Sequence, residues 1–136
     1  MRILLFEYSV ANDVRDLIPE GASMLATLIL SARNSGHEVV VCERRCGDEW
    51  IERNAGECDA GVVIAPDKLL PRYLEILEEH TINLGCSPSS AQLCADKLET
   101  TRALQSSGIP TPRLGSSESG KFVLKPRWGC GCESTY

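Results

Sequence analysis

The sequence predicts an α/β fold in which helices cover both faces of a parallel β-sheet. Four short apolar segments alternate with helical segments over roughly the first 94 residues. Residues 39–41 and 62–64 are apolar without interruption, as expected for strands that are buried on both faces. The segments between the strands carry apolar residues at helical spacing, so they can pack onto such a sheet.

The first two strands flank a helix that opens at Pro19. Residues 3–6 form the first strand, and a polar loop follows it. Proline is favoured in the first turn of a helix, and the carboxylate of Glu20 stabilises the positive end of the helix dipole. The predicted buried side of this helix comprises Ala22, Leu25, Leu28, Ile29 and Ala32. Gly36 ends the helix, and residues 37–41 form the second strand.

Two further strands follow at regular intervals. Residues 48–55 form a short polar helix, and residues 59–65 form the third strand. Asp67 is a candidate N-cap for the next helix. The buried side of that helix comprises Leu69, Leu70, Tyr73, Leu74 and Leu77. Residues 81–84 form a short fourth strand.

The last third of the chain has a different order of elements. Ser87 caps one short helix, and Asp96 precedes another. A proline-rich connection then leads to a last strand at residues 122–125 and to a glycine-rich turn. We therefore expect two domains, of residues 1–94 and 95–136, with the second one incomplete.

Composition restricts the function classes. The net charge of −5 argues against non-specific binding to nucleic acid or to an anionic membrane. The N-terminal apolar run is too short for a signal peptide, and no segment is long enough to span a membrane. The seven cysteines are therefore expected to be free thiols in a reducing cytoplasm.

The cysteines do not have the spacing of a zinc or redox motif. Cys42 and Cys46 lie four residues apart, and Cys130 and Cys132 lie two apart. A zinc site needs four convergent ligands, and a redox pair has C-x-x-C spacing, so we expect no metal site. The remaining cysteines adjoin apolar runs and are predicted to be small core residues: Cys58, Cys86 and Cys94.

The loop after the first strand lacks a dinucleotide-binding sequence. Residues 7–12, where G-x-G-x-x-G would occur, contain no glycine. Gly129 and Gly131 come nearer to that pattern, but no helix follows them. A Walker A loop is also absent there, because no Gly-Lys-Ser/Thr follows. We therefore expect neither NAD nor FAD at this edge of the sheet.

The turn after the last strand has the features of a phosphate-binding hairpin. Lys125 lies at the end of the strand, where its ammonium group can project over the turn. Gly129 and Gly131 allow backbone N–H groups to approach a polyanion closely. A second lysine, Lys97, lies at the start of a helix behind the α/β domain. Two lysines and a glycine turn in this order predict a nucleotide site, whereas either feature alone would indicate an ordinary turn.

These residues resemble the N-terminal part of an ATP-grasp carboxylate–amine ligase. The matching sequences are LGCSP at 84–88, CADK at 94–97, GIPTP at 108–112 after Leu104, FVLKP at 122–126 and GCG at 129–131. Residues 6–8 and 19–21 are similar to an archaeal branch that includes tyramine–glutamate ligase of methanofuran biosynthesis. The resemblance implies a Rossmann-like pre-ATP-grasp domain, followed by the truncated start of an ATP-grasp subdomain.

The resemblance also implies residue roles. Lys97 and Lys125 would contact ATP, with Lys125 at the α and β phosphates. A mobile flap would cover the β and γ phosphates with Gly129, Gly131, Cys132 and Ser134. Many relatives carry serine where this chain has Cys132. Ligases of this family activate a carboxylate as an acyl phosphate, and an amine then displaces the phosphate. Glutamate or another amino acid is the expected substrate.

The resemblance implies ATP and Mg²⁺ as cofactors. The family's magnesium ligands belong to a part beyond residue 136, so this chain alone is expected to be inactive. Glu20 and Ser87 are candidate substrate residues, because open α/β sheets place ligands at the carboxyl ends of their strands. Each has a structural alternative, in the helix dipole for Glu20 and in the N-cap for Ser87.

A different class of function also fits the sequence. The chain can be a non-catalytic Rossmann-like binding or assembly module that retains a vestigial phosphate loop. A flavodoxin-like or response-regulator domain lacks support, because neither a flavin phosphate loop nor an acidic pocket is present. A homodimer through the N-terminal domain is expected from the open edge that the truncated hairpin leaves.

Overall fold

Four parallel β-strands form the sheet in the part of the chain that the structure, a computed structural model, describes. The described residues are 1–43, 45–47, 49–115, 122–129 and 134–136. The strands are β1 (Arg2–Glu7), β2 (Glu38–Val41), β3 (Ala60–Ile64) and β4 (Ile82–Asn83). Their order across the sheet is β2-β1-β3-β4, and each neighbouring pair is parallel. The predicted parallel sheet is confirmed.

The helices alternate with the strands. They are α1 (Tyr8–Ala11), α2 (Ile18–Asn34), α3 (Trp50–Ala55), α4 (Leu70–His80), α5 (Pro88–Ala95) and α6 (Lys97–Ser106). All except α1 were expected from the sequence. The short helix α1 forms where a polar loop was predicted, because the side chain of Glu7 caps it.

Helices cover both faces of the sheet because successive residues of β1 point to opposite sides. Ile3 and Leu5 pack against Leu25 of α2 on one face. Leu4 and Phe6 pack into the other face. That cluster also contains Ile51, Ala55, Tyr73, Leu74, Leu77 and Ala91, from α3, α4 and α5. The central strand β1 is therefore buried on both sides, as the α/β prediction requires.

Two details of the predicted helices are wrong. Ala22 is exposed, and its neighbour Gly21 is buried instead, against the end of β1. Asp67 does not cap α4, which begins at Leu70 without a side-chain cap. The carbonyl of Pro66 accepts the N–H groups of residues 69 and 70 instead, so the chain already turns before the helix.

Residues 122–125 do not form the regular strand that the sequence predicts. Leu124 and Tyr136 donate N–H to each other's carbonyl at 2.7 Å, which closes one rung of a hairpin. A strand needs a succession of such rungs, and the described residues provide this one. Phe122, Val123 and Leu124 are consequently more than half exposed.

The cysteines depart from the prediction in two ways. Cys42 and Cys46 are joined by a disulfide, with their Cα atoms 6.2 Å apart, so these two are not free thiols. Cys58 is buried as expected, but Cys86 and Cys94 are exposed. The segments that carry Cys86 and Cys94 lie at the ends of β4 and α5, where adjoining apolar residues such as Leu84 and Leu93 are themselves exposed. Among the described residues, no group of three His, Cys, Asp or Glu side chains is arranged to hold a metal ion.

No helix in the described ranges is long and apolar enough to cross a membrane.

Candidate functional site

Asp96 organises the N-terminus of α6. Its backbone is extended, and its Oδ1 atom accepts the N–H groups of Leu98 at 3.1 Å and Glu99 at 3.2 Å. Its carbonyl accepts the N–H of Thr100 at 2.8 Å. An aspartate in this position satisfies N–H groups that the helix itself leaves free. The predicted position of Asp96 directly before a helix is confirmed, and the structure adds its role as the N-cap.

The same carboxylate binds Arg127, which lies 31 residues further along the chain. Arg127 Nε donates to Oδ1 at 2.8 Å, and a terminal guanidinium nitrogen donates to Oδ2 at 2.6 Å. This pairing lowers the pKa of Asp96 from 3.8 to about 2, with the hydrogen bond from Arg127 as the largest cause. It raises the pKa of Arg127 in return. Both groups are therefore charged at neutral pH.

Lys97 contacts the same turn through its backbone and its side chain. Its N–H donates to the carbonyl of Arg127 at 3.1 Å. Its ammonium group donates to the carbonyl of Gly129. Gly129 has a φ of 107°, a conformation that favours glycine, and an added Cβ there would have no atom of the described residues within 4 Å. Two residues predicted from the sequence to share a site, Lys97 and Gly129, are thus in contact.

Lys125 lies on the same hairpin and is exposed. It makes no ion pair or hydrogen bond with the described residues, so its ammonium group is available to a ligand. Ser134, beyond the turn, has a φ of 51° and is exposed. Gly131 and Cys132, also predicted for the flap, lie outside the described residues.

Trp128 connects the hairpin to α4 and α5. Its ring lies 4.7 Å from the guanidinium carbon of Arg127 and 5.7 Å from the ammonium nitrogen of Lys68. Both distances are within the range of a cation–π interaction. The ring borders a groove of about 520 Å³ that is lined by Asp67, Lys68, Pro71, Glu75, Gln92, Ala95 and Trp128.

Neither of the two candidate substrate residues forms a hydrogen bond or ion pair with the described residues of this hairpin. Ser87 is the N-cap of α5, and its hydroxyl accepts the N–H of Ser90 at 3.2 Å. This contact supports the structural alternative. Glu20 is exposed in the first turn of α2, and its proposed role with an amine stays a prediction.

A buried carboxylate at the end of β1 was missed by the sequence interpretation. Glu7 is 5% exposed, and its carboxylate accepts Ser9 N–H at 3.1 Å, Ser9 Oγ–H at 2.7 Å and Val10 N–H at 2.8 Å. Gly21 lies so close that a Cβ there would come within 2.3 Å of a Glu7 oxygen. The absence of glycine after β1 could have indicated this role, because a side chain then has to stabilise the turn there.

The pairing of Asp96 with Arg127 was also missed by the sequence interpretation. No local pattern indicates the pairing, because 31 residues separate Asp96 from Arg127. The contact between Lys97 and Gly129 was expected, and it depends on the same packing.

Comparisons with known proteins concern the family of the last third of the chain and the fold. Residues 94–136 match the ATP-grasp domain family. A crystal structure of a protein from Archaeoglobus fulgidus, assigned to the ATP-grasp superfamily, superposes on 96% of this chain with a TM-score of 0.81 at 24% sequence identity. The present chain covers 48% of that protein, so it spans about half its length. No curated protein shows a significant match. The α/β fold of this chain is thus shared with an ATP-grasp superfamily protein.

Proposed function

We propose that this chain is the ATP-binding start of an ATP-dependent carboxylate–amine ligase. In this proposal, Lys97, Lys125 and the turn at Gly129 bind the triphosphate of ATP. The match of residues 94–136 to the ATP-grasp domain includes all three positions. The contact of the Lys97 ammonium group with the Gly129 carbonyl carries the proposal, because it brings the first lysine of α6 to the glycine turn.

The donor set fits a polyphosphate. A triphosphate carries several negative charges, and its transfer requires that cationic groups neutralise them. Arg127 is already compensated by Asp96. Lys97 and Lys125 form no ion pair with a described carboxylate, so each can contribute a full positive charge. No atom of the described residues lies within 4 Å of a Cβ placed on Gly129, so a phosphate oxygen can approach the backbone from that side of the described turn.

The residues of this chain account for binding and orientation. Lys125 would hold the α and β phosphates from the hairpin, and Lys97 would approach them from the start of α6. Transfer of the γ phosphoryl group to a substrate carboxylate would give an acyl phosphate and ADP. An amine would then attack the acyl carbon and displace inorganic phosphate. We propose an amino acid as the substrate, with the tyramine–glutamate ligase branch as the specific candidate.

Mg²⁺ normally shares this charge neutralisation. The described residues contain no cluster of three candidate ligands, so we assign no magnesium ligand to this chain. Accordingly, we propose that the 136-residue chain binds the nucleotide but does not complete ligation.

Calorimetric titration of MgATP into the 136-residue chain tests the proposal. We expect Lys97→Ala and Lys125→Ala each to weaken binding by at least about tenfold, because hydrogen bonds to charged groups contribute about 1.5–3 kcal/mol. Arg33→Gln is the control. Arg33 is exposed in the last turn of α2, and its substitution also removes one positive charge.

Three outcomes would each contradict a part of the proposal. Unchanged affinity in Lys125→Ala would remove this lysine from the site. An absence of MgATP binding by the unmodified chain would favour the non-catalytic binding module instead. Amine-dependent formation of ADP by the chain alone would show that it needs no further part for catalysis.

A further inference from the structure

The contacts of Asp96 and Arg127 determine where the glycine turn lies. This turn comprises residues 127–129 and is named the 127–129 turn. Asp96 holds the side chain of Arg127, and the N–H of Lys97 holds the carbonyl of Arg127 at 3.1 Å. The ring of Trp128, the next residue, lies against the ammonium group of Lys68, in the turn that precedes α4. Every residue of the turn is therefore tied to an element of the preceding fold.

The N-terminus of α6 cannot itself receive a phosphate in this arrangement. The N–H groups of Leu98 and Glu99 bind Asp96 Oδ1, and that of Thr100 binds the Asp96 carbonyl. The N–H of Lys97 binds Arg127. A helix N-terminus attracts anions through N–H groups that lack partners, and here the protein already occupies them. Phosphate binding must come from the ammonium groups and the turn, so the position of the turn matters.

Arg127 is committed to Asp96 rather than to a ligand. Two of its nitrogens bind the carboxylate, and one of these also lies 3.5 Å from Glu99. A guanidinium fork that matches a carboxylate in this bidentate way fixes geometry as well as charge. The positive charge of Arg127 is balanced locally, whereas Lys68, Lys97 and Lys125 form no ion pair with a described carboxylate.

We propose that Asp96 and Arg127 are a positioning pair that sets the 127–129 turn over the ammonium group of Lys97. The inference rests on the proposed function, because the turn so placed is the one that receives the triphosphate. Neither residue contacts the nucleotide. They act through the position of Gly129 relative to Lys97, and a displaced turn separates the donors that must meet one phosphate group.

The test distinguishes the ion pair of Asp96 with Arg127 from the role of Asp96 as the N-cap of α6. Asparagine is as good an N-cap as aspartate but lacks the negative charge, so Asp96→Asn keeps the cap and breaks the charged pair. Arg127→Gln breaks the pair from the other side. Arg102→Gln is the matched control, because Arg102 binds Glu99 on the same helix at 2.7 Å without reaching the turn. MgATP affinity and the NMR signals of the Lys97 and Gly129 amides are measured in all variants.

We expect Asp96→Asn and Arg127→Gln each to weaken MgATP binding about tenfold, with a double variant no weaker than either, because the two residues act as one unit. The Lys97 amide signal should shift in both, since its acceptor is the Arg127 carbonyl. Arg127→Lys should recover part of the affinity, as lysine keeps the charge but not the fork. Arg102→Gln should match the unmodified chain.

Three results would overturn the inference. Additive losses in the double variant would mean that each residue acts independently, for example with Arg127 on a phosphate. Shifted amide signals with unchanged MgATP affinity would reduce the pair to a structural contact. Full affinity and unshifted signals in Arg127→Gln would show that the pair does not hold the turn. In the second and third cases, a loss of affinity in Lys125→Ala would still support the proposed ATP site.

Discussion

Replacing Gly21 with alanine should destabilise the protein, although the same change in a helix is usually favourable. Gly21 lies in the first turn of α2 and is buried against the end of β1. A Cβ at this position would lie 2.2 Å from Ser9 Oγ and 2.3 Å from a Glu7 carboxylate oxygen. Both distances are far below van der Waals contact, so at least one of the two side chains has to move.

The expected magnitude follows from two opposing effects. Alanine is more favourable than glycine in a helix by about 1 kcal/mol. Overpacking of a buried site costs about 1–3 kcal/mol. Displacement of the Glu7 carboxylate also weakens its hydrogen bonds to Ser9 and Val10, and bonds to charged groups contribute about 1.5–3 kcal/mol. The sum favours destabilisation, by about 2–4 kcal/mol.

Urea denaturation followed by circular dichroism measures this change as a lower midpoint with an unchanged slope. Gly56→Ala is the matched control, because Gly56 follows α3 with a φ of −64° and an added Cβ would have nothing within 4 Å. That control should be neutral or more stable by up to about 1 kcal/mol, since alanine restricts the unfolded chain.

A Gly21→Ala variant as stable as the unmodified protein would refute the reasoning. It would mean that Glu7 and Ser9 can rearrange without cost, and that the buried carboxylate does not fix the turn after β1. The double variant Gly21→Ala with Ser9→Ala should remain less stable than Ser9→Ala alone, because the Glu7 carboxylate still lies in the way.

Three further predictions concern single groups. Arg127→Gln should raise the pKa of Asp96 from about 2 toward 3.8, as measured by ¹³C NMR of its carboxyl carbon. Because pairing lowers this pKa, its contribution to stability is complete above about pH 4 and is lost as the pH falls through about 2. Cys58 should react with iodoacetamide much more slowly than Cys86 at pH 8 in mass-spectrometric mapping, since burial shields the Cys58 thiol and raises its pKa. Ser87→Ala should lower the free energy of unfolding by about 1 kcal/mol in urea denaturation, because α5 loses its N-cap.

Each of these three predictions can be contradicted by a specific result. An unchanged carboxyl titration in Arg127→Gln would mean that the ion pair does not form in solution. Equal labelling rates for Cys58 and Cys86 would contradict the burial of Cys58. An unchanged stability in Ser87→Ala would remove the capping role and restore Ser87 as a candidate substrate residue.

The sheet could be predicted because its signals are local. The uninterrupted apolar runs of β2 and β3 are typical of covered strands, and the glycine and proline residues between elements mark the turns. The N-caps at Ser87 and Asp96 are local as well, because each side chain binds N–H groups no more than three residues further along the chain. The expected contact between Lys97 and the glycine turn came from the family resemblance together with this order of elements.

The remaining features depend on contacts between distant residues. Arg127 could bind a phosphate or a carboxylate equally well, and packing of the turn onto α6 decides between them. The regular strand at 122–125 was wrongly expected because apolar residues alone do not supply a pairing partner. Gly21 could not be identified as the buried residue from periodicity, since the reason is a side chain on β1.

The buried carboxylate of Glu7 restricts how this sheet could be redesigned. It takes up the amide protons of Ser9 and Val10, which a phosphate would need at the tip of the first strand. An anion there would meet the Glu7 carboxylate in place of these two amides. An engineer who wished to graft a phosphate-binding loop onto this strand end would therefore have to replace Glu7 and fill the space beside Gly21.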